Sequence, residues 1–420
     1  MNRRSFVKWA SAFPLLAQVG LEQAMGTGWA EVARNSTDNI YTRLGVKPLI
    51  NGRGTWTYLS ASLELPEVRT AQVEAARHFV NIFDLQKAAG KRLAELTGAE
   101  SGMITSGAAG AMAVGTAACI AGTDPDRVWQ LPNTDGLKNE VVMVGGRSVF
   151  DSAIRLAGGK LVLVDSAEQI PNAVTSNTAM VYTTSSPEQL AKEIAASKAH
   201  QIPIFMDAAD GIPPVNKLQL FAKMGCDLYT FSGGKGLCGP QSSGILLGRK
   251  DLIEAGLANS NPWEGAVCRP MKVGKEEIMG CLAAVEAWLK MDVGKLNKEW
   301  GTRVQRIATL VETVPGVEAK VYMPEENQCP TLMITWDQKG WHYTTADCAR
   351  ELLEGTPSIA VLTEDNPSDV LSRKQTSPKP HRQEDKLQIV SMTLRPGEEI
   401  IIGQRLRQLL TQARRQAAQR

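Results

Sequence analysis

Leu228-Tyr229-Thr230-Phe231-Ser232-Gly233-Gly234-Lys235-Gly236 is the stretch on which the reading of this 420-residue chain turns. Leucine, threonine and aromatic residues in series favour a buried strand, and the glycines that follow end it. The strand therefore delivers the chain into a turn that carries one serine and one lysine. Glycines let a backbone approach a ligand closely, and successive N–H groups in such a turn can cradle an anion. The turn is not a nucleotide P-loop, because Gly-x-x-x-x-Gly-Lys-Ser/Thr is absent. A lysine fixed there is a candidate Schiff-base nucleophile. The plainer reading is a solvent lysine on a flexible loop.

Working outward, short apolar runs alternate with helical stretches. Val141–Val144, Lys160–Val164, Met180–Thr183, Ile204–Met206 and 243–248 read as further strands. Asp151–Ala157, Pro187–Ala199 and Leu218–Met224 read as helices between them. Such alternation makes a mostly parallel sheet covered on both faces. Before it, apolar residues recur at helical spacing from Glu67 to Thr97, with Gly98 as a C-cap. After it comes a long helix from Lys275 to Met291 and onward. The tail reads as strands at 317–323, 331–336 and 387–394 and helices at 345–353 and 398–413, with a polar loop over 364–386. The expectation is an N-terminal arm at 31–60 and a large α/β domain at 61–270. A connecting helix and small α+β domain follow at 271–420.

Two more segments belong to the carboxyl edge of that sheet. Met206-Asp207-Ala208-Ala209-Asp210 closes an apolar strand, and ligands bind where such strands end. Asp207 there suits a protonated ring nitrogen, or equally a helix or turn cap. Thr105-Ser106-Gly107-Ala108-Ala109-Gly110 is a small-residue turn into an apolar helix, whose free N–H groups suit a phosphate. The alternative is tight packing of the helix on the sheet. The three segments fit one ligand. A phosphate on Ser106–Ala109, a ring nitrogen on Asp207 and an aldehyde on Lys235 describe pyridoxal 5'-phosphate.

Phe231-Ser232-Gly233-Gly234-Lys235-Gly236-Leu237-Cys238-Gly239-Pro240-Gln241-Ser242-Ser243-Gly244 resembles the lysine segment of the selenocysteine synthase (SelA)-like family of fold-type I pyridoxal phosphate enzymes. The chain is most similar to that family's D-glucosaminate-6-phosphate ammonia-lyase branch. Phe83–Gly90, Leu96–Glu100 and Arg269–Glu277 support the likeness, which runs over about residues 40–400. It implies an aspartate aminotransferase-like large domain, with Lys235 as the Schiff-base lysine and Asp207 as partner of the ring nitrogen. Ser106, Gly107, Ala108 and Ser232 would contact the phosphate, and Ala209 would lie against a ring face. Arg395 would receive a substrate carboxylate, or form a capping or dimer ion pair. The family pattern puts a histidine over the ring where this chain has Arg147, which either stacks there and binds an anionic substrate, or marks a branch with another substrate, or is a surface arginine beside the helix start. Trp56 and Tyr58 would close the pocket or pack a dimer. At least a homodimer is implied.

The implied chemistry is α,β-elimination on an amino acid or amino-sugar acid, giving a 2-keto acid and ammonia. The rivals are SelA-type selenium transfer on seryl-tRNA, an aminotransferase, and a binding protein on the same fold without turnover. Composition narrows these. The 46 Lys and Arg against 44 Asp and Glu give no general attraction to nucleic acid. No run of about 18 apolar residues exists to span a membrane. Seven cysteines without C-x-x-C read as reduced thiols, and four scattered histidines offer no metal motif. Met1-Asn2-Arg3-Arg4-Ser5-Phe6-Val7-Lys8, then a short apolar stretch, reads as a twin-arginine export signal ending near residue 30. Its removal would leave equal numbers of acidic and basic residues in a periplasmic enzyme. Without a working signal the enzyme would be cytoplasmic.

Overall fold

The computed structural model describes residues 39–325, 327–363 and 386–419, so the expected signal at 1–30 and all but the last residue of the expected loop at 364–386 lie outside it. The described residues up to Pro48 belong to a unit of their own. Its described part holds one short 3-10 turn, Thr42–Leu44, closed by Gly45 with a left-handed backbone.

The rest is built around a seven-stranded sheet. Its strands are β2 (Ser101–Thr105), β3 (Glu140–Val144), β4 (Lys160–Val164), β5 (Thr178–Thr183), β6 (Ile204–Asp207), β7 (Leu228–Ser232) and β8 (Gly244–Gly248). Across the sheet they run in the order β2-β8-β7-β6-β5-β3-β4. Only β8 opposes its neighbours, so the sheet is mostly parallel. Side chains alternate between two cores, as a strand period of two requires. Val142, Val144, Val181, Met206 and Phe231 go to one core. Val141, Met143, Tyr182, Phe205 and Leu228 go to the other, which the helix Gly107–Ala121 covers. Burial on both faces is why these strands read as continuous apolar runs.

The expected single helix from Glu67 to Thr97 is two helices, Pro66–Ala75 and Ile82–Thr97. Asn81 starts the second by accepting hydrogen bonds from the Phe83 and Asp84 amides, so the apolar spacing runs through a break. The long helix likewise ends at Lys290, and Asp292 caps a new one, Val293–Val311. The expected strand at 387–394 pairs only over β12 (Leu387–Val390), then turns. With β9 (Val317–Tyr322) and β10 (Thr331–Trp336) it forms an antiparallel sheet. Beside it, β1 (Leu49–Gly52) pairs in parallel with β11 (Ser358–Val361), a strand not expected from the sequence. Helices Val293–Val311 and Glu398–Ala418 share a third core with these strands. All seven cysteines are free thiols. No helix among the described residues is long and apolar enough to cross a membrane.

Candidate active site

Strand register brings the three sequence segments together. At the carboxyl edge, Gly244 of β8 lies between Thr105 of β2 and Ser232 of β7, and Asp207 of β6 lies opposite Thr230. Beyond the strands, the Ser232 amide donates to the Ala209 carbonyl at 3.2 Å. Alternation puts Thr105, Asp207 and Ser232 on the sheet face covered by helix Gly107–Ala121, the face of Tyr182 and Phe205.

The helix begins at this edge. Ser106 is its N-cap, yet the serine hydroxyl makes no capping bond, and first-turn N–H groups have no partner within a helix. Gly107 has a left-handed backbone (φ +71°), and the space where its Cβ would stand is open to 4 Å. Beneath the turn, a Cβ on Gly244 would come within 2.4 Å of the Gly107 carbonyl carbon. Tight packing is real here too: a Cβ on Gly115 would sit 2.5 Å from the Phe205 ring. The small residues thus serve the packing and leave open space beside Gly107 at the helix start.

Asp207 is buried, with both carboxylate oxygens held. The Ala209 amide donates to Oδ1 at 3.0 Å and the Tyr182 hydroxyl to Oδ2 at 2.7 Å. Burial pushes its pKa above the usual carboxylate range; those two hydrogen bonds and the charge of Lys235 pull the other way without winning. Such a carboxylate is short of a cation.

The glycines around Lys235 answer mainly to chain packing. A Cβ on Gly236 would lie 1.8 Å from the Ile212 carbonyl oxygen, and one on Gly234 would lie 2.4 Å from Gln241 Cα. The Gly233 and Gly239 amides are spent on the Ser243 and Gly233 carbonyls. This corrects the idea that the turn's own glycines exist for ligand approach. The segment that follows the arm fastens the turn. The Ser62 hydroxyl and amide both donate to the Gly234 carbonyl, at 2.6 and 3.2 Å, and the Leu65 amide donates to Cys238. Lys235 is therefore half-buried on a braced turn rather than on a flexible loop. Its Nζ stands 6.0 Å from the centre of the Phe150 ring.

Two arginines are engaged elsewhere. The Arg147 guanidinium is held by both oxygens of buried Asp151, which also receives Arg155. Arg395 pairs with Glu398 through its side chain and its amide, the capping alternative. Trp56 and Tyr58 stack near Arg53. Sequence reasoning passed over Tyr182, read as one more apolar strand residue, and Phe150, whose exposure in the turn after β3 no local pattern signals.

The class-V aminotransferase model matches residues 160–269, which hold both Asp207 and Lys235. The 5'-C-glycyluridine monooxygenase-decarboxylase of a Streptomyces species is 32% identical over 339 residues, 76% of this chain and 83% of that protein. D-glucosaminate-6-phosphate ammonia lyase of Salmonella typhimurium is 32% identical over 306 residues, 69% and 79% of the two chains. The chain belongs to the class-V aminotransferase family of pyridoxal phosphate enzymes. A solved structure of D-glucosaminate-6-phosphate ammonia-lyase superposes with a TM-score of 0.74 at 27% identity, over 90% of this chain and all of that one. L-seryl-tRNA(Sec) selenium transferase of Moorella thermoacetica is 24% identical over 420 residues, 88% of this chain and 82% of that protein. A NifS-like protein, at 15% identity and TM-score 0.55, shares the fold.

The residues present fit the family's cofactor. The open cradle at Gly107 beside the unspent Ser106 hydroxyl suits a phosphate. A buried carboxylate short of a cation suits a ring N–H, and the braced lysine amine suits an aldehyde.

Proposed function

We propose that this enzyme eliminates a β-substituent from an amino acid or amino-sugar acid, releasing a 2-keto acid and ammonia. Convergence of Ser106, Asp207 and Lys235 on one edge of the sheet supports the reading most. The Salmonella relative and the superposing solved structure, both ammonia-lyases by name, favour elimination within the family.

Bound pyridoxal phosphate supplies an electron sink for the bond broken at the substrate Cα. Ser106, with the amides of Gly107 and Ala108 and the Ser232 hydroxyl, would hold the phosphate. Asp207 would keep a proton on the ring nitrogen, which sustains the sink. Ala209 would sit against one ring face. Lys235 Nζ would bind the aldehyde carbon until a substrate amine displaces it. The freed Nζ would then take the Cα proton, a transfer for which a braced amine is suited. With that proton gone, a β-hydroxyl would take a proton from the Lys235 ammonium and leave as water, and the released enamine would take up water to give the 2-keto acid and ammonia. The large domain would span 61–270 and the small one 271–420. We also read residues 1–30 as a twin-arginine signal for a periplasmic homodimer.

The test compares absorption spectra of purified wild type and Lys235→Ala with added pyridoxal phosphate, before and after borohydride. Once unbound cofactor is removed, wild type should be yellow, bleach with borohydride and retain the reduced cofactor on the peptide holding Lys235; Lys235→Ala should retain none on any peptide and release no ammonia. A colourless wild type would overturn the assignment. Oxygen uptake with carbon dioxide release and no ammonia would move the reaction toward that of the Streptomyces relative.

A further inference from the structure

The hydroxyl of Tyr182 lies in the core beneath the candidate cofactor site, and its ring is only 1% exposed. Around the oxygen stand two acceptors, Asp207 Oδ2 at 2.7 Å and Met112 Sδ at 3.1 Å. A phenol has one proton to donate, and a carboxylate is a far better acceptor than a thioether. The ring is fixed by an edge-on contact with Phe205, its neighbour in the sheet, at 6.1 Å between centres. The proton therefore goes to Asp207. A terminal carboxylate torsion is broad when unrestrained. Here Ala209 holds one oxygen and Tyr182 the other, so the plane of the group is set from both ends.

On the reading that Asp207 meets the ring nitrogen of pyridoxal phosphate, we infer that Tyr182 is a positioning residue. Its hydroxyl orients the Asp207 carboxylate toward that nitrogen and stabilises the anionic form. The charged and titratable groups around the pair come from four elements. Lys235, on the turn after β7, favours the Asp207 anion, while Asp210, just beyond β6, opposes it. Tyr182 itself, on β5, resists ionisation because it is buried beside Asp207 and, farther off, Asp151 before helix Ser152–Leu156. Tyr182 thus stays a neutral donor to the Asp207 carboxylate. Without the hydroxyl, burial and Asp210 act on Asp207 with one counterweight fewer.

Tyr182→Phe keeps the ring and removes only the donor. Pyridoxal phosphate retention, measured by equilibrium dialysis, should weaken roughly ten- to a hundredfold, the range for a lost hydrogen bond to a charged group. The pH below which the visible band of the bound cofactor changes should move upward. In the double variant Tyr182→Phe/Asp207→Asn, retention should be no worse than in Asp207→Asn alone, because Tyr182 acts through that carboxylate. A Tyr182→Phe protein that melts lower yet keeps wild-type retention and pH curve would overturn the inference alone. So would additive losses in the double variant. A wild type that takes up no pyridoxal phosphate would overturn the cofactor reading, and this inference with it.

Discussion

Asp207 is a residue whose fitness for binding works against the stability of the empty protein. Its pKa is raised by burial, so the folded state holds the proton more tightly than the unfolded chain does. A raised folded pKa contributes stability that is fully present below the unfolded value and is lost as pH rises through the folded one. The cofactor-free protein should therefore weaken on that account as pH climbs out of the carboxylate range. Asp207→Asn removes the buried charge while keeping an oxygen for Ala209 or Tyr182. It should match or exceed wild-type melting temperature near neutrality without cofactor, with the gap closing toward about pH 4. With pyridoxal phosphate the order should reverse, since a ring N–H gives the carboxylate the cation it lacks. Thermal melts of both proteins across pH, with and without cofactor, check both halves.

Among the elements, β8 shows how packing builds the site. Gly244 sits directly under the Gly107–Ala108 peptide, and both neighbours are backbone, which cannot swing aside as a flexible side chain can. Gly244→Ala should cost about 1–3 kcal/mol of stability by overpacking and should lift the helix start with it. Gly107→Ala meets open space, so its cost is the left-handed backbone, about 1–2 kcal/mol, while its methyl enters the cradle. Urea melts should thus show two destabilised proteins, with cofactor retention in Gly107→Ala falling further than its stability does. The parallel strands were legible because burial on both faces leaves unbroken apolar runs, and their carboxyl ends locate a ligand edge. β11 was not, because Ser358–Val361 is four residues whose partner β1 lies some three hundred positions earlier in the chain. Asn81 three residues before Asp84 did carry an N-cap signal, but Phe79, Val80 and Ile82 continue the apolar spacing past the break. Tyr182 and Phe150 escaped notice for a related reason. Their importance lies in what stands opposite, a polar atom in one case and an open edge in the other, and neither is written in local sequence.

At the scale of the whole molecule, one stretch of chain ties the C-terminal sheets to the lysine turn. β1 pairs with β11, and the residues that follow run to the large sheet's carboxyl edge. There the Thr55 hydroxyl donates to Asp210, Gln241 donates to the Thr57 carbonyl, and Ser62 and Leu65 grip Gly234 and Cys238. The turn carries bonds of its own, from the Cys238 amide to the Lys235 carbonyl and from the Gly239 amide to the Gly233 carbonyl, and this strap braces it from outside. Ser62 binds the Gly234 carbonyl twice, and Ser62→Ala would leave the amide bond in place. Losing one neutral hydrogen bond costs roughly 1 kcal/mol, a small share of the stability of a large domain. Global melting should therefore hardly move. The local consequence should be larger: amide exchange over residues 233–239 should quicken, and pyridoxal phosphate should leave several-fold faster than from wild type. Exchange measured by mass spectrometry on both proteins separates the cases. Unchanged protection at the turn with a lower melting temperature would show that the strap serves the fold and leaves the lysine to brace itself.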